Sequence, residues 1–189
     1  MFIEKSQHSL AEISKKEGIN SRRLRLFFEK FIHSLLFQVF AIESLSRNSG
    51  SKTLPASHPA TGVDGLVLKN TFESKFDLLQ KLKKFRTNKI LPLRRIYVTK
   101  NNNEQRPLSI PSILDRATQQ LVLLLLDPII EVHSDIYSFG FRKGRNPIMA
   151  IGTLQKNLQR KPDTMKRYVD IQYIWNAEIK KCFDQINHD

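Results

Sequence analysis

The sequence predicts an α+β chain in which helices dominate and one basic hairpin supplies the first strands. Three features point there: an apolar stripe at helical spacing from Asn20 to Arg47, two short alternating segments flanking Asn101-Asn102-Asn103, and an apolar segment, Leu121 to Leu126, behind a serine cap. With 189 residues, 40% hydrophobic and 26% charged, and only 7 Gly and 8 Pro, the chain can bury a sizeable core. This excludes a collagenous, low-complexity or disordered chain and a multi-domain machine.

Leu24, Phe27, Phe28, Phe31, Leu35, Val39, Ile42 and Leu45 fall three or four apart, so one long amphipathic helix is expected from Asn20 to Arg47, capped by Asn20 or Ser21. Arg22, Arg23, Arg25 and Lys30 crowd near its start, where positive charge opposes the helix dipole. They form either a solvated basic face or a contact for a polyanion. Asn48 to Gly65 turns to Ser, Gly, Pro, Thr and Ala, a linker and the place for a domain boundary. A second helix is expected over Thr71 to Arg86, with Phe72, Phe76, Leu79, Leu82 and Phe85 on one side. Arg94 to Thr99 reads as a strand, the asparagines as its turn, and Arg106 to Ile110 as the returning strand, bounded by Pro92 and Pro111. Ser112 with Asp115 three residues on opens a helix to about Val132. Leu121 to Leu126 is apolar all round, which expects burial on several sides. A loop from Asp135 to Asn146, a helix from Pro147 to Leu158, a break at Pro162 and a strand from Tyr168 to Ala177 complete the reading.

Charge narrows the partners. Lys and Arg number 31 against 18 Asp and Glu, a balance of +13, and Lys75 to Arg106 holds ten basic residues against Asp77 and Glu104. Such a concentrated field favours polyanions, nucleic acid first. Cys182 is the lone cysteine and reads as a small buried apolar residue; the five histidines are scattered and no zinc spacing occurs. The longest apolar run falls far short of the roughly 20 residues that span a bilayer, so no membrane partner is expected. Met1 to Ser9 has the features of neither a secretory signal nor a transit peptide, and Trp175 reads as core or edge packing.

Four segments then stand in order: Thr61-Gly62-Val63-Asp64-Gly65; Arg94 to Lys100 with Arg106-Pro107-Leu108-Ser109-Ile110-Pro111 and Asp115-Arg116; Ser138-Phe139-Gly140-Phe141-Arg142-Lys143-Gly144-Arg145; and Glu178 to Asp189. Together they resemble the N-terminal half of the group II intron-encoded reverse transcriptase/maturase family, over Ser21 to Asp189. The resemblance implies a partial right-hand polymerase. Residues 1–65 would be the helical N-terminal extension and linker, and residues 66–189 the fingers and the beginning of the palm. It implies intron RNA as partner, with Arg22, Arg23, Arg25, Arg94, Arg95, Arg142 and Arg145 as RNA contacts. Lys100 and Arg106 would meet a nucleotide's phosphates, a point charge and a planar fork across one turn. Phe183 matches the aromatic beneath the nucleotide sugar, and Glu178 the catalytic, Mg2+-binding carboxylate. Phe139 and Phe141 read as core anchors ahead of base stackers, and Asp115-Arg116 equally as a helix start or a functional pair.

The sequence also departs from that family. Glu178-Ile179-Lys180-Lys181 stands where the family has Asp-Ile-Lys-Gly, and the additional methylene moves a carboxylate by about an ångström, a displacement that can lower a rate ~100-fold. The chain ends at Asp189, ahead of the family's aromatic-Ala-Asp-Asp motif, so Mg2+ binding and catalysis are expected only with a C-terminal half as partner. Leu54 to Ala60 is an inexpensive linker insertion. Two readings result: a split reverse transcriptase, or a non-catalytic RNA-binding splicing factor derived from one. The family places the chain in a chloroplast or mitochondrion, or alternatively in a bacterial cytoplasm.

Overall fold

The computed structural model describes residues 2–47, 61–84, 90–99, 105–158, 175–179 and 187. They fall in two compact units, Met1–Ser134 and Asp135–Asp189. The first holds helices α1 (Phe2–Glu17), α2 (Arg22–Ile32), α3 (Leu35–Arg47) and α4 (Phe72–Leu82), the antiparallel strands β1 (Arg94–Thr99) and β2 (Gln105–Ile110), and helix α5 (Ile113–His133). The second holds helix α6 (Pro147–Leu158) behind the loop from Asp135 to Asn146. Helices with one small sheet make an α+β chain.

Helix α1 has no counterpart in the sequence reading, because its apolar content is thin. Leu10 and Ile13, with Ser6 and Ser14, are buried, and Ile3 is the one further apolar residue packed against the core. The expected single helix from Asn20 to Arg47 is two helices. Ser21 caps α2 by accepting from the Leu24 N–H at 3.3 Å, and the chain leaves helical register at His33 and Ser34. The interruption rotates α3 about its axis: Phe37, Gln38, Ala41 and Ile42 are buried, whereas Leu35 and Val39, which a continuous stripe would bury, are exposed. Phe37 folds back onto Phe31, their rings stacked at 5.3 Å, and the Gln38 amide donates to the Ile32 carbonyl left over at the end of α2.

The core of this unit lies among α1, α2, α3, α4 and α5, around Leu10, Leu24, Phe31, Phe37, Ala41, Leu79, Leu82, Leu121 and Leu125. It joins elements on both sides of the residue 48–65 linker. The expected stripe on α4 is corrected: Leu78, Leu79 and Leu82 enter the core, while Phe72 and Phe76 stack on each other at the surface, 5.8 Å apart. Helix α5 opens as expected on Ser112, which accepts from the Asp115 N–H and donates to its carboxylate at 2.6 Å. Its burial is narrower than expected. Leu121, Leu124, Leu125 and Ile129 are inside, but Leu123, Leu126 and Ile130 are exposed, because α1 to α4 cover only part of its circumference.

Pro128 lies inside α5 and has no N–H for the Leu124 carbonyl four residues back. The Gln7 side chain of α1 supplies the missing donor at 2.8 Å. Gln7→Ala is therefore expected to lower stability by about 1–3 kcal/mol, the cost of a buried unsatisfied carbonyl. With Pro128→Ala the new backbone N–H takes that carbonyl, and the cost of Gln7→Ala should vanish. A double-mutant cycle by urea unfolding reads this coupling directly.

In the second unit the Asp135–Asn146 loop and α6 occur where the sequence expects them. Trp175 is 91% exposed, which corrects the packed tryptophan, and residues 175–177, the described end of the expected strand, are not in a strand paired to the described residues. A strand needs a neighbour for its N–H groups, and among the described residues β1 and β2 pair only with each other. Residues 168–174 of that expected strand lie outside the described residues. No helix among the described residues is long and apolar enough to cross a membrane.

Candidate nucleic-acid interface

The hairpin is built by its alternation. In register, Arg94 faces Ile110, Ile96 faces Leu108 and Val98 faces Arg106; the intervening pairs are Arg95 with Ser109, Tyr97 with Pro107 and Thr99 with Gln105. Cross-strand partners share a sheet face. One face is therefore Arg94, Ile96, Val98, Arg106, Leu108 and Ile110, with both isoleucines buried. The other face, all six of its residues exposed, is Arg95, Tyr97, Thr99, Gln105, Pro107 and Ser109.

The inner face is tied down by the Thr61 to Gly65 turn. Half-buried Arg94 donates to the Thr61 hydroxyl at 2.8 Å and to its carbonyl at 3.3 Å. Gly62 sits against the start of α5, where a Cβ would lie 2.7 Å from Ser112 Cα and 2.9 Å from Ser112 N. Burial pulls the Arg116 guanidinium below its usual pKa, and the charge of Asp64 opposes that pull. The first two of the four sequence segments thus meet in one latch: Thr61 bonds Arg94, Gly62 packs against Ser112, and the charge of Asp64 acts on Arg116. Asp64, Asp77 and Asp115 also line a cavity of about 270 Å³ beside α4 and α5. Their partners are internal, since Lys81 bonds Asp77 at 2.8 Å and Ser112 bonds Asp115.

The expected RNA contacts divide accordingly. Arg22 and Arg25 are exposed on the first turn of α2, which carries no acidic residue. Arg23 bonds Glu17 at 3.1 Å and lies over the Phe27 ring; the Ser21 hydroxyl, with Arg23, holds the Glu17 carboxyl below its usual pKa. Arg95 and Arg106 are exposed on opposite faces of the hairpin. In the second unit, Arg142 donates to the Asp135 and Ser138 carbonyls at 2.6 and 2.8 Å, and Arg145 lies over the Phe139 ring. These two arginines hold the loop's shape. Phe141 is fully exposed at φ 58, which corrects the expectation of a core anchor. Lys100 and Phe183 lie outside the described residues. Glu178 is exposed, and among the described residues no three His, Cys, Asp or Glu come together to hold a metal ion. The described residues alone do not make a two-metal site.

The sequence reading sets Ile96 and Val98 against Arg95, Tyr97 and Thr99 but assigns no role to the exposed Tyr97. In Arg94 to Thr99 every second residue belongs to the side opposite Ile96, and that alternation places Tyr97 with Arg95.

No protein-family profile matches the chain. Among curated proteins it is 35% identical over 98 residues to protein YkfC of Escherichia coli K12, covering 52% of this chain and 24% of YkfC. It is 32% identical over 98 residues to the group II intron-encoded protein LtrA of Lactococcus lactis, covering 51% of this chain and 15% of LtrA. The product assigned to COX1/OXI3 intron 2 of Saccharomyces cerevisiae is 27% identical over 183 residues, 93% of this chain and 18% of that protein. The chain therefore spans less than a quarter of the length of these relatives. Over about half its length, the chain is homologous to group II intron-encoded proteins, the relationship its ordered motifs imply.

Proposed function

We propose that this chain binds intron RNA as the N-terminal extension and fingers of a group II intron reverse transcriptase/maturase. RNA-directed DNA synthesis would then require a C-terminal half that completes the palm. The homology to LtrA, itself an intron-encoded protein, carries this reading. The charge supports it: +13 overall, with exposed Arg22, Arg25, Arg95 and Arg106 at two sites of one unit. Arginine suits such contacts because its planar fork meets phosphate oxygens in pairs. Lys100, with Arg106, would meet a nucleotide's phosphates, and Phe183 its sugar.

In the completed palm, Glu178 would share Mg2+ with carboxylates from the C-terminal half, and the ions would stabilise the attacking and leaving oxygens. Glu178 and Lys181, standing for the family's Asp and Gly, favour a second reading, a splicing factor that binds intron RNA without polymerising. We place the protein in an organelle or a bacterial cytoplasm, in keeping with relatives in bacteria and in yeast introns.

Intron RNA binding should be strongly salt-dependent, because each neutralised phosphate releases counterions. With six or more phosphate contacts, affinity should fall about 1,000-fold between 50 and 200 mM salt in a filter-binding titration. Absent or salt-indifferent binding overturns the reading. Primer extension with a supplied C-terminal half, raised ~100-fold by Glu178→Asp, marks the polymerase. No extension from either form leaves the splicing factor.

A further inference from the structure

We propose that the outer face of the β1–β2 hairpin is a stacking platform for an unpaired RNA base, with Tyr97 beneath the base and Arg95 on the adjoining phosphate. This rests on the RNA-binding reading above and names a contact within it. Tyr97 is 56% exposed although it stands in the middle of a strand whose flanking residue Ile96 is 8% exposed. The alternation is complete. All six residues of the outer face are exposed, and of the inner face only Arg106, at its far end, is exposed.

What the outer face carries defines its occupant. It holds one aromatic ring, one guanidinium, the Pro107 ring directly across from Tyr97, and the polar chains of Thr99, Gln105 and Ser109. No carboxylate lies on it. A hydrocarbon partner would find too little apolar surface, and an acidic peptide would find one cation and no groove. A nucleobase needs a π-face of about the area of a tyrosine ring, and its phosphate needs a nearby cation. Arg95 and Tyr97 are two residues apart on one side of a strand, about 7 Å, a spacing close to that between a base and its own backbone phosphate. The face is also held stiffly. Arg94 anchors its underside to Thr61, and Ile96 and Ile110 are packed below, so the platform need not be ordered on binding.

The preference is for single strands, because a base inside a duplex has no free face. Tyr97→Phe keeps the ring and should bind like the parent, whereas Tyr97→Ser and Arg95→Ala should each weaken binding. The full chain is titrated with a fluorescein-labelled oligouridylate and, separately, with a perfect RNA duplex. Tyr97→Ser should weaken the single-stranded probe about tenfold and leave the duplex within twofold. A 2-aminopurine in the single strand should be quenched by the parent and by Tyr97→Phe, and not by Tyr97→Ser.

If the parent binds neither RNA, the platform and the RNA-binding reading fall together. If the parent binds and Tyr97→Ser binds equally well, the platform alone is wrong. Equal loss on single strand and duplex also overturns it, because that is the signature of a charge or folding defect. Should Tyr97→Ser not fold, the comparison passes to 4-thiouridine crosslinking of the parent: adducts on Tyr97 or its strand support the platform, and adducts only elsewhere overturn it.

Discussion

Gly62→Ala is expected to lower the stability of the Met1–Ser134 unit by about 3 kcal/mol, the upper range for forcing atoms into packed structure. In a thermal scan that is about 10 °C for a chain of this length. The added methyl would stand 2.7 Å from Ser112 Cα, 2.9 Å from Ser112 N and 3.0 Å from the Pro111 carbonyl oxygen. Every one of these is backbone, and that backbone begins α5, whose first turn is fixed by the Ser112–Asp115 cap. Neither side can yield without opening the helix start or the turn. Gly65 is the control: it has φ 65, with nothing within 4 Å of an added Cβ. Its alanine bears only the left-handed backbone, about 1–2 kcal/mol. If Gly65→Ala proves the more damaging, close approach is not what residue 62 requires.

The same contact explains why the hairpin has one anchored and one open face. Gly62 brings the turn against α5, and the turn then presents Thr61 to Arg94 and places the charge of Asp64 where it acts on Arg116. Arg94 and Arg95 are neighbours of one type in the sequence, yet the first is a structural tie and the second is exposed. A strand sends adjacent side chains to opposite faces, and here the residues of one face are buried or half-buried apart from Arg106, while those of the other are all exposed.

Particular elements show how much the sequence disclosed. The two strands of the hairpin were legible to within a residue, because their period-two pattern and bounding prolines agree, whereas the expected asparagine turn lies outside the described residues; the Ser112 start of α5 was legible because a cap is a local interaction. Helix α1 was not, since a helix that buries only two large apolar residues, with Ile3 half-buried beside them, has almost no periodic signal. The exposed rings of Phe72, Phe76 and Phe141 were misjudged for one reason: hydrophobicity gives a preference for burial, and only the tertiary arrangement decides which residues are covered. Of the site, the four ordered segments were visible as a set. The meeting of Thr61 with Arg94, across 33 positions, is a long-range contact that spacing does not encode.

Phe37→Ala provides the sharpest test of the break that divides the expected long helix. Phe37 is fully buried, stacked on Phe31, which itself meets Phe27 edge to face at 5.8 Å. Removing its ring leaves a cavity among α2, α3 and their neighbours, so about 3–5 kcal/mol of stability should be lost. That corresponds to a fall in Tm of about 10 °C or more. Leu35 is 53% exposed, and Leu35→Ala should change stability by less than about 0.5 kcal/mol. An uninterrupted helix from Asn20 to Arg47 predicts the reverse order, because steps of four from Phe31 place Leu35 and Val39 inside and turn Phe37 outward. The ranking of the two alanine variants therefore decides between the geometries. It bears on RNA as well: the turn at His33 and Ser34 sets the direction of α2, and with it where Arg22 and Arg25 are presented.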